Sequence, residues 1–212
     1  MRIVMIGATG LVGASLWPLL QARNPLLVLG RRASGAAQEK LGALADWPRQ
    51  LAGERIDTAI STLGSTRKAA GSWAAFEAVD RHGLLAFASA ARHAGARHFL
   101  FVSSAGADAG SRNAYLRLKG EVEAAVAGLG FERIDIVRPG LLIGRRAERR
   151  LGEGIGQAVA PLLNLVLRGP LDRYAAIPAA DVARALTALV EQQGPGHFIH
   201  DNRAIRRLAG GD

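Results

Sequence analysis

Met1-Arg-Ile-Val-Met-Ile-Gly7-Ala-Thr9-Gly10-Leu11-Val12-Gly13 is the stretch on which the fold turns. Ile3 to Ile6 form a short apolar run of the kind that suits a strand buried on both faces. Glycines at positions 7, 10 and 13 follow, and an amphipathic segment opens after them. A G-x-x-G-x-x-G turn lets backbone N–H groups at a helix N-terminus approach a pyrophosphate, and a Cβ at those glycines would hold the phosphates off. Gly7, Thr9, Gly10, Leu11, Val12 and Gly13 are therefore candidate cofactor contacts, at the start of a dinucleotide-binding βαβ unit.

Outward from this turn, strand and helix signals alternate to the end of the chain, the pattern of a parallel sheet covered on both faces. Leu11 to Ala22 reads as a helix, Pro25 to Leu29 as the second strand, Leu41 to Ala45 as a short third and Ile56 to Leu63 as the fourth. Ser72 to Ala94 reads as a long helix with Gly95 at its end. His98 to Ser103 follows as a strand, Arg112 to Leu129 as a helix, and Glu132 to Arg138 as a strand stopped by Pro139-Gly140. Residues 153 to 168, Ala180 to Glu191 and His197 to His200 supply two more helices and a strand. The expectation is an α/β, Rossmann-like, doubly wound parallel sheet forming one domain over residues 1–212. Residues 145 to 175 are expected to add a small C-terminal substrate lobe.

Composition narrows the function. The 212 residues are 49% hydrophobic, enough for a full core and too apolar for a disordered chain. The chain has no cysteine, which excludes disulfides, thiolate metal sites and cysteine nucleophiles, and with them the thioester chemistry of semialdehyde dehydrogenases. Arg2 before an apolar stretch imitates a signal peptide, but the glycine spacing fits a nucleotide turn better. No stretch is long and apolar enough to span a membrane, and a cytoplasmic protein is expected. The net charge of +9 comes from arginines spread from Arg2 to Arg207, with lysine confined to Lys40, Lys68 and Lys119. Without interleaved aromatics this is not a nucleic-acid stripe.

Two constellations carry chemistry. The second strand runs into Arg31-Arg32, about 20 residues past the glycine turn, where NAD-specific folds place an acidic residue on the ribose hydroxyls. Two guanidiniums offer forked donors to a 2′-phosphate instead, so NADP(H) is expected over NAD(H). The second is Tyr115-Leu-Arg-Leu-Lys119, with Ser103-Ser104 at the end of the preceding strand. Residues four apart share a helical face, and an ammonium beside a phenol favours the phenolate, which makes Tyr115 a candidate general acid/base. A serine hydroxyl at a strand C-terminus is placed to hydrogen-bond a substrate oxygen, Ser104 ahead of Ser103.

With these residues in view the chain resembles the short-chain dehydrogenase/reductase superfamily, and within it atypical NAD(P)H-binding proteins similar to the Tat-interacting oxidoreductase family. The likeness is carried by Ser61-Thr-Leu-Gly-Ser-Thr-Arg67, Val79-Asp-Arg81, Val102-Ser-Ser-Ala-Gly-Ala-Asp108, Tyr115-Leu-Arg-Leu-Lys-Gly-Glu-Val-Glu123 and Arg138-Pro-Gly-Leu-Leu142. It implies that Gly7 to Gly13 hold the pyrophosphate, Arg31 and Arg32 the 2′-phosphate, and that Thr62, Leu63 and Gly64 border the adenosine. Lys119 would contact the nicotinamide ribose, with Pro139 and Gly140 forming the turn beneath the nicotinamide. The third strand and its loop look short against the family, and no further catalytic asparagine is placed.

The five histidines, His82, His93, His98, His197 and His200, show no metal-ligand spacing and read as surface or packing residues. Ile155, Val159, Leu162, Leu163, Val166 and Leu167 make an apolar stripe that packs the C-terminal lobe, with Arg149-Arg150 beside it. The expected activity is NADPH-dependent hydride transfer to a small carbonyl, or the reverse from a hydroxyl. A non-catalytic NADP(H) sensor with a protein partner is the alternative. A nucleotide-sugar epimerase is a minor one, since about 70 residues follow Pro139-Gly140.

Overall fold

The computed structural model describes residues 1–65, 70–144 and 169–210. Seven strands form one sheet: β1 (Ile3–Ile6), β2 (Leu26–Gly30), β3 (Glu39–Leu41), β4 (Thr58–Ser61), β5 (His98–Val102), β6 (Arg133–Val137) and, last in the chain, β9 (Gly196–His200). Their order is β3-β2-β1-β4-β5-β6-β9, and every neighbouring pair is parallel. The order reverses between β1 and β4, so the C-terminal ends of those strands flank a crevice, the place where open α/β sheets hold ligands.

Successive strand residues face opposite ways, and here both faces are covered, which is why β1 and β2 lack polar alternation. Val4, Ile6, Leu27 and Leu29 join a core with Phe76, Phe87, Phe99 and Phe101 on one face. Ile3, Met5, Leu26 and Val28 join Leu16, Leu20, Val182, Leu186 and Leu189 on the other. The first face is covered by α2 (Trp47–Leu51), by a helical run from Trp73 to His93, and by α5 (Ala114–Ala127). α1 (Leu11–Gln21) and α6 (Ala179–Val190) cover the second, with α7 (Asn202–Leu208) beside α6. Full burial of each large side chain contributes about 1.5–3 kcal/mol, so the two cores hold the sheet rigidly beneath its loops.

The helix expected over residues 72–94 is α3 (Trp73–Glu77) and α4 (Leu84–His93) joined by a π-helical turn, Ala78–Gly83. Ser72 caps it, its side chain accepting from the Ala75 N–H. The third strand lies earlier than expected, at Glu39–Leu41, because Leu44–Asp46 turns and Pro48 opens α2 in its first turn. A small pair, β7 (Leu142–Ile143) with β8 (Ile177–Pro178), and α7 were not expected. The helix expected over 153–168, its apolar stripe from Ile155 to Leu167, and Arg149-Arg150 lie outside the described residues, as do Arg67 and Lys68.

Candidate active site

The glycine turn is built from contacts that exclude side chains. Gly7 adopts φ +85°, and a Cβ on it would lie 2.5 Å from the Thr62 carbonyl carbon. A Cβ on Gly13 would lie 2.1 Å from the Gly7 oxygen and 2.7 Å from Thr62 Oγ1. These two glycines pack β1, α1 and the loop after β4 backbone to backbone. Gly10, Leu11 and Val12 are left lining a cavity at the N-terminus of α1, where N–H groups and the helix dipole favour an anion. Thr9 is exposed and stands outside that lining. Thr62 donates through both N and Oγ1 to the Ile6 oxygen at 3.1 Å. Leu63 N donates to Ser61 Oγ at 3.3 Å. This loop, with Gly64, forms the next part of the wall.

Arg31 and Arg32 are exposed at the tip of β2, beside β1 and off the cavity lining. Glu39 organises the loop they begin: Ser34 N and Ala36 N donate to its Oε1 at 2.7 and 3.2 Å, and Ser34 Oγ donates there too. Partial burial pushes the Glu39 carboxyl up, but these hydrogen bonds outweigh it and hold the group below its ordinary value.

Tyr115 and Lys119 come together as the four-residue spacing required, with Lys119 Nζ 6.0 Å from the phenol ring centroid. Asn113 caps α5, its Oδ1 accepting from Tyr115 N at 2.9 Å and Leu116 N at 3.3 Å. The Tyr115 ring packs on Phe76 at 5.8 Å, and the residue, 37% exposed, lines the cavity. Ser104 lines the same cavity. Ser103 also reaches it, but its hydroxyl donates to Glu123, buried one turn beyond Lys119. Glu123 in turn accepts from Arg138 through Nε at 3.0 Å and through Nη2. This network ties the ends of β5 and β6 to α5 and occupies the Ser103 hydroxyl, whereas the Ser104 hydroxyl makes only a long hydrogen bond, 3.4 Å, to the Ala105 oxygen.

Pro139 and Gly140 line the far wall. Gly140 N donates to Asn202 Oδ1 at 2.8 Å, and a Cβ on Gly140 would lie 2.3 Å from the Ala175 oxygen. Asn202, fully buried, completes the clamp by donating to the Ala175 and Asp172 oxygens at 2.7 and 3.0 Å. The cavity bounded by these walls is about 690 Å³ and is lined also by Leu141, Leu142 and Tyr174. That is room for the reactive half of a dinucleotide and a small substrate.

Three residues that shape the site escape sequence reasoning. Asp80, on the π turn, is fully buried and holds Lys119 Nζ at 2.6 Å. Glu123 and Asn202 hold the serine strand and the Pro139-Gly140 turn. A signal was present for Glu123, which continues the four-residue spacing of Tyr115 and Lys119. Asp80 falls in Val79-Asp-Arg81, one of the segments that carry the family likeness, but nothing pointed to its partner 39 residues away, and Asn202, 62 residues from Gly140, had no signal at all. Among the described residues no cluster of His, Cys, Asp and Glu could hold a metal ion.

No protein-family model matches the chain. Individual proteins do. Protein fmp52, mitochondrial, of Emericella nidulans is 39% identical over 189 residues, covering 82% of this chain and 81% of the relative. The Aspergillus fumigatus protein of the same name is 37% identical over 215 residues, covering 92% and 91%. Protein HTATIP2 of Rattus norvegicus is 37% identical over 156 residues, or 72% of this chain and 61% of the relative. UDP-glucose 4-epimerase from Bifidobacterium longum, solved with NAD+ and UDP, superposes with a TM-score of 0.72 at 14% identity, covering 100% of this chain and 84% of that one. A putative NAD-dependent epimerase/dehydratase from Bacillus halodurans gives 0.65 at 20% identity, covering 93% and 92%. At such identity these structures share the fold.

The expectation of a cytoplasmic protein is corrected by the fungal relatives, which are named as mitochondrial. Composition reports what a chain can bury, and it carries no address. Among the described residues no helix is long and apolar enough to cross a membrane. With its parallel sheet in the order of a dinucleotide-binding fold and its likeness running over most of both chains, the protein belongs to the fmp52 family, atypical short-chain dehydrogenase/reductases related to the Tat-interacting oxidoreductases.

Proposed function

We propose that this protein is an NADPH-dependent oxidoreductase that reduces a small carbonyl compound, with Tyr115 as the general acid. The observation that carries the reading is the meeting of Tyr115, Lys119 and Ser104 in one cavity whose opposite walls are the glycine turn and Pro139-Gly140. The cradle fits a dinucleotide: Gly7 and Gly13 leave no space for a side chain, and the N-terminus of α1 faces the cavity through Gly10 to Val12. In this reading the glycine turn holds the pyrophosphate, the loop from Thr62 to Gly64 borders the adenosine, and Arg31 with Arg32 takes the 2′-phosphate. Lys119 holds the nicotinamide ribose. The bound cofactor supplies a hydride to the carbonyl carbon.

The protein's own part is to place and protonate the substrate. Ser104 Oγ donates to the carbonyl oxygen and orients it. The Tyr115 hydroxyl gives its proton to the same oxygen as negative charge develops there, and the products are an alcohol and oxidised cofactor. Apolar side chains in the lining, Leu141 and Leu142, favour an uncharged substrate. The mitochondrial naming of the relatives makes the mitochondrion the compartment in which to look for it.

Tyr115→Phe is the test. Turnover of a panel of aldehydes and ketones with NADPH, followed by nicotinamide absorbance, is expected to fall by about 10²–10⁴-fold, the usual contribution of a positioned proton donor. NADPH affinity is expected to stay within about twofold. Retained turnover in the variant removes Tyr115 from the mechanism. NADPH binding without turnover by the unsubstituted protein, over the whole panel, favours the sensor reading instead.

A further inference from the structure

The ammonium of Lys119 is not a lone cation. Asp80 Oδ1 stands 2.6 Å from Lys119 Nζ, the two side chains are 0% and 6% exposed, and both residues line the cavity. Asp80 Oδ2 accepts from Ser65 N at 2.8 Å, so the carboxylate also fastens the loop after β4. It sits on the π turn Ala78–Gly83 in the middle of a long helical run, and single π turns of this kind occur frequently at functional sites.

A buried ion pair is weak evidence for stability, since the desolvation of two charges offsets most of their attraction. Its position in the cavity wall gives it another consequence. A lysine ammonium has three donors, and among the described residues one of them is used, toward Asp80. Two are left for a ligand in the cavity, and Asp80 cancels the charge that comes with them. The oxidised nicotinamide ring carries a positive charge and the reduced ring carries none. An uncompensated ammonium beside that ring would therefore repel the oxidised cofactor and leave the reduced one unaffected.

Resting on the reading of the cavity as an NADP(H) site, we propose that Asp80 is a positioning residue that balances the charge of Lys119, so that the site holds NADP+ and NADPH with comparable affinity. The pair lets the lysine grip the ribose without biasing the site against the oxidised cofactor.

The test is calorimetric titration of the purified protein with NADP+, NADPH and 2′,5′-ADP, the last a fragment with the 2′-phosphate and no nicotinamide. Asp80→Asn keeps the shape and an oxygen for Ser65 N while removing the charge. It is expected to raise the ratio of the NADP+ to the NADPH dissociation constant by at least about tenfold, the effect of a unit charge about 12 Å away at an effective dielectric near 20. Binding of 2′,5′-ADP is expected to stay unchanged. Adding Lys119→Met to Asp80→Asn restores neutrality and is expected to return the ratio toward its original value, though both cofactors bind more weakly.

An unchanged ratio in Asp80→Asn overturns the proposal, and so does an equal weakening of all three ligands, which marks a purely structural role. Should that variant not fold, Lys119→Met alone is expected to move the ratio the opposite way, and an unchanged ratio there overturns it as well. If the unsubstituted protein binds none of the three ligands, it is the cofactor reading that falls, and the inference falls with it.

Discussion

Asp135 shows how far one buried carboxylate can organise a sheet edge. It accepts from His98 Nε2 at 2.6 Å, His200 Nε2 at 2.7 Å, and Arg133 through Nε at 2.6 Å and Nη2 at 3.1 Å, joining β5, β6 and β9. Arg133 also stacks over Phe198 at 4.2 Å and donates to the Gln193 and Gly194 oxygens. Burial pushes the Asp135 carboxyl up, and the hydrogen bonds from His200, His98 and Arg133 outweigh it, holding the group far below the usual carboxylate range. A group depressed on folding contributes stability that is fully present above its unfolded value of about 4 and is lost as pH falls toward its folded value. Asp135→Asn is therefore expected to lower stability at neutral pH by about 3 kcal/mol, or about 6–12 °C in Tm for a chain of this size. It should also flatten the decline in stability below about pH 4. Urea unfolding across that range checks it, and parallel acid declines in the two proteins would count against the assignment. The sequence reading of His98 and His200 as packing residues holds, but their shared partner was not legible, because a register between strands 37 and 65 residues apart has no local signature.

At the scale of elements, α5 presents Tyr115 and Lys119 to the candidate site because its contacts leave it one seat. Tyr115, Lys119 and Glu123 follow at four-residue steps along one face, and that much was readable. Gly120 was not. A Cβ there would lie 2.2 Å from Ala109 N and 2.3 Å from the Asp108 carbonyl carbon, so the helix backbone rests directly on the loop after β5. The contact is fastened by Asp108 N donating to the Leu116 oxygen at 3.1 Å. In sequence, a glycine inside a helix reads only as a cost in propensity. Gly120→Ala is expected to push the helix off its seat, destabilising the protein by about 1–3 kcal/mol and weakening NADPH binding through the displaced Lys119. Gly128→Ala serves as the control, because its Cβ would meet nothing closer than the Ala125 oxygen at 3.5 Å. Thermal unfolding and NADPH titration of both variants decide it, and equal behaviour would mean that the seat gives way cheaply. The same distinction explains β3 and the π turn. Strands β1, β2 and β5 announce themselves by apolar runs, whereas β4 and β6 mix Thr58, Ser61, Arg133 and Asp135 with apolar residues. β3 is a polar three-residue edge, and an inserted residue in a helix leaves no compositional trace.

For the molecule as a whole, alternation of strands and helices with one glycine turn at the start was enough to expect a doubly wound parallel sheet, and the structure adds the strand order, which reverses at β1. The position of the crevice follows from that reversal. The charge of the chain tells less, because its arginines are dispersed, and the proposed cofactor selection rests on Arg31 and Arg32, exposed at the tip of β2. That selection can be read on the whole fold, since a ligand that binds only the native state raises stability by mass action. NADPH at a hundred times its dissociation constant is expected to add about 2.7 kcal/mol, which is about 5–11 °C in Tm for a protein of this length. NADH at the same concentration should add much less, because the β2 tip offers it no carboxylate for the ribose hydroxyls and its guanidiniums find no 2′-phosphate. Replacing Arg31 and Arg32 together by alanine should bring the NADPH shift down to that of NADH and leave the NADH shift where it was. Both side chains are exposed, so the ligand-free Tm should hardly move. Equal shifts with the two cofactors before and after the replacement would make the arginine pair ordinary surface charge and remove the basis for NADPH preference.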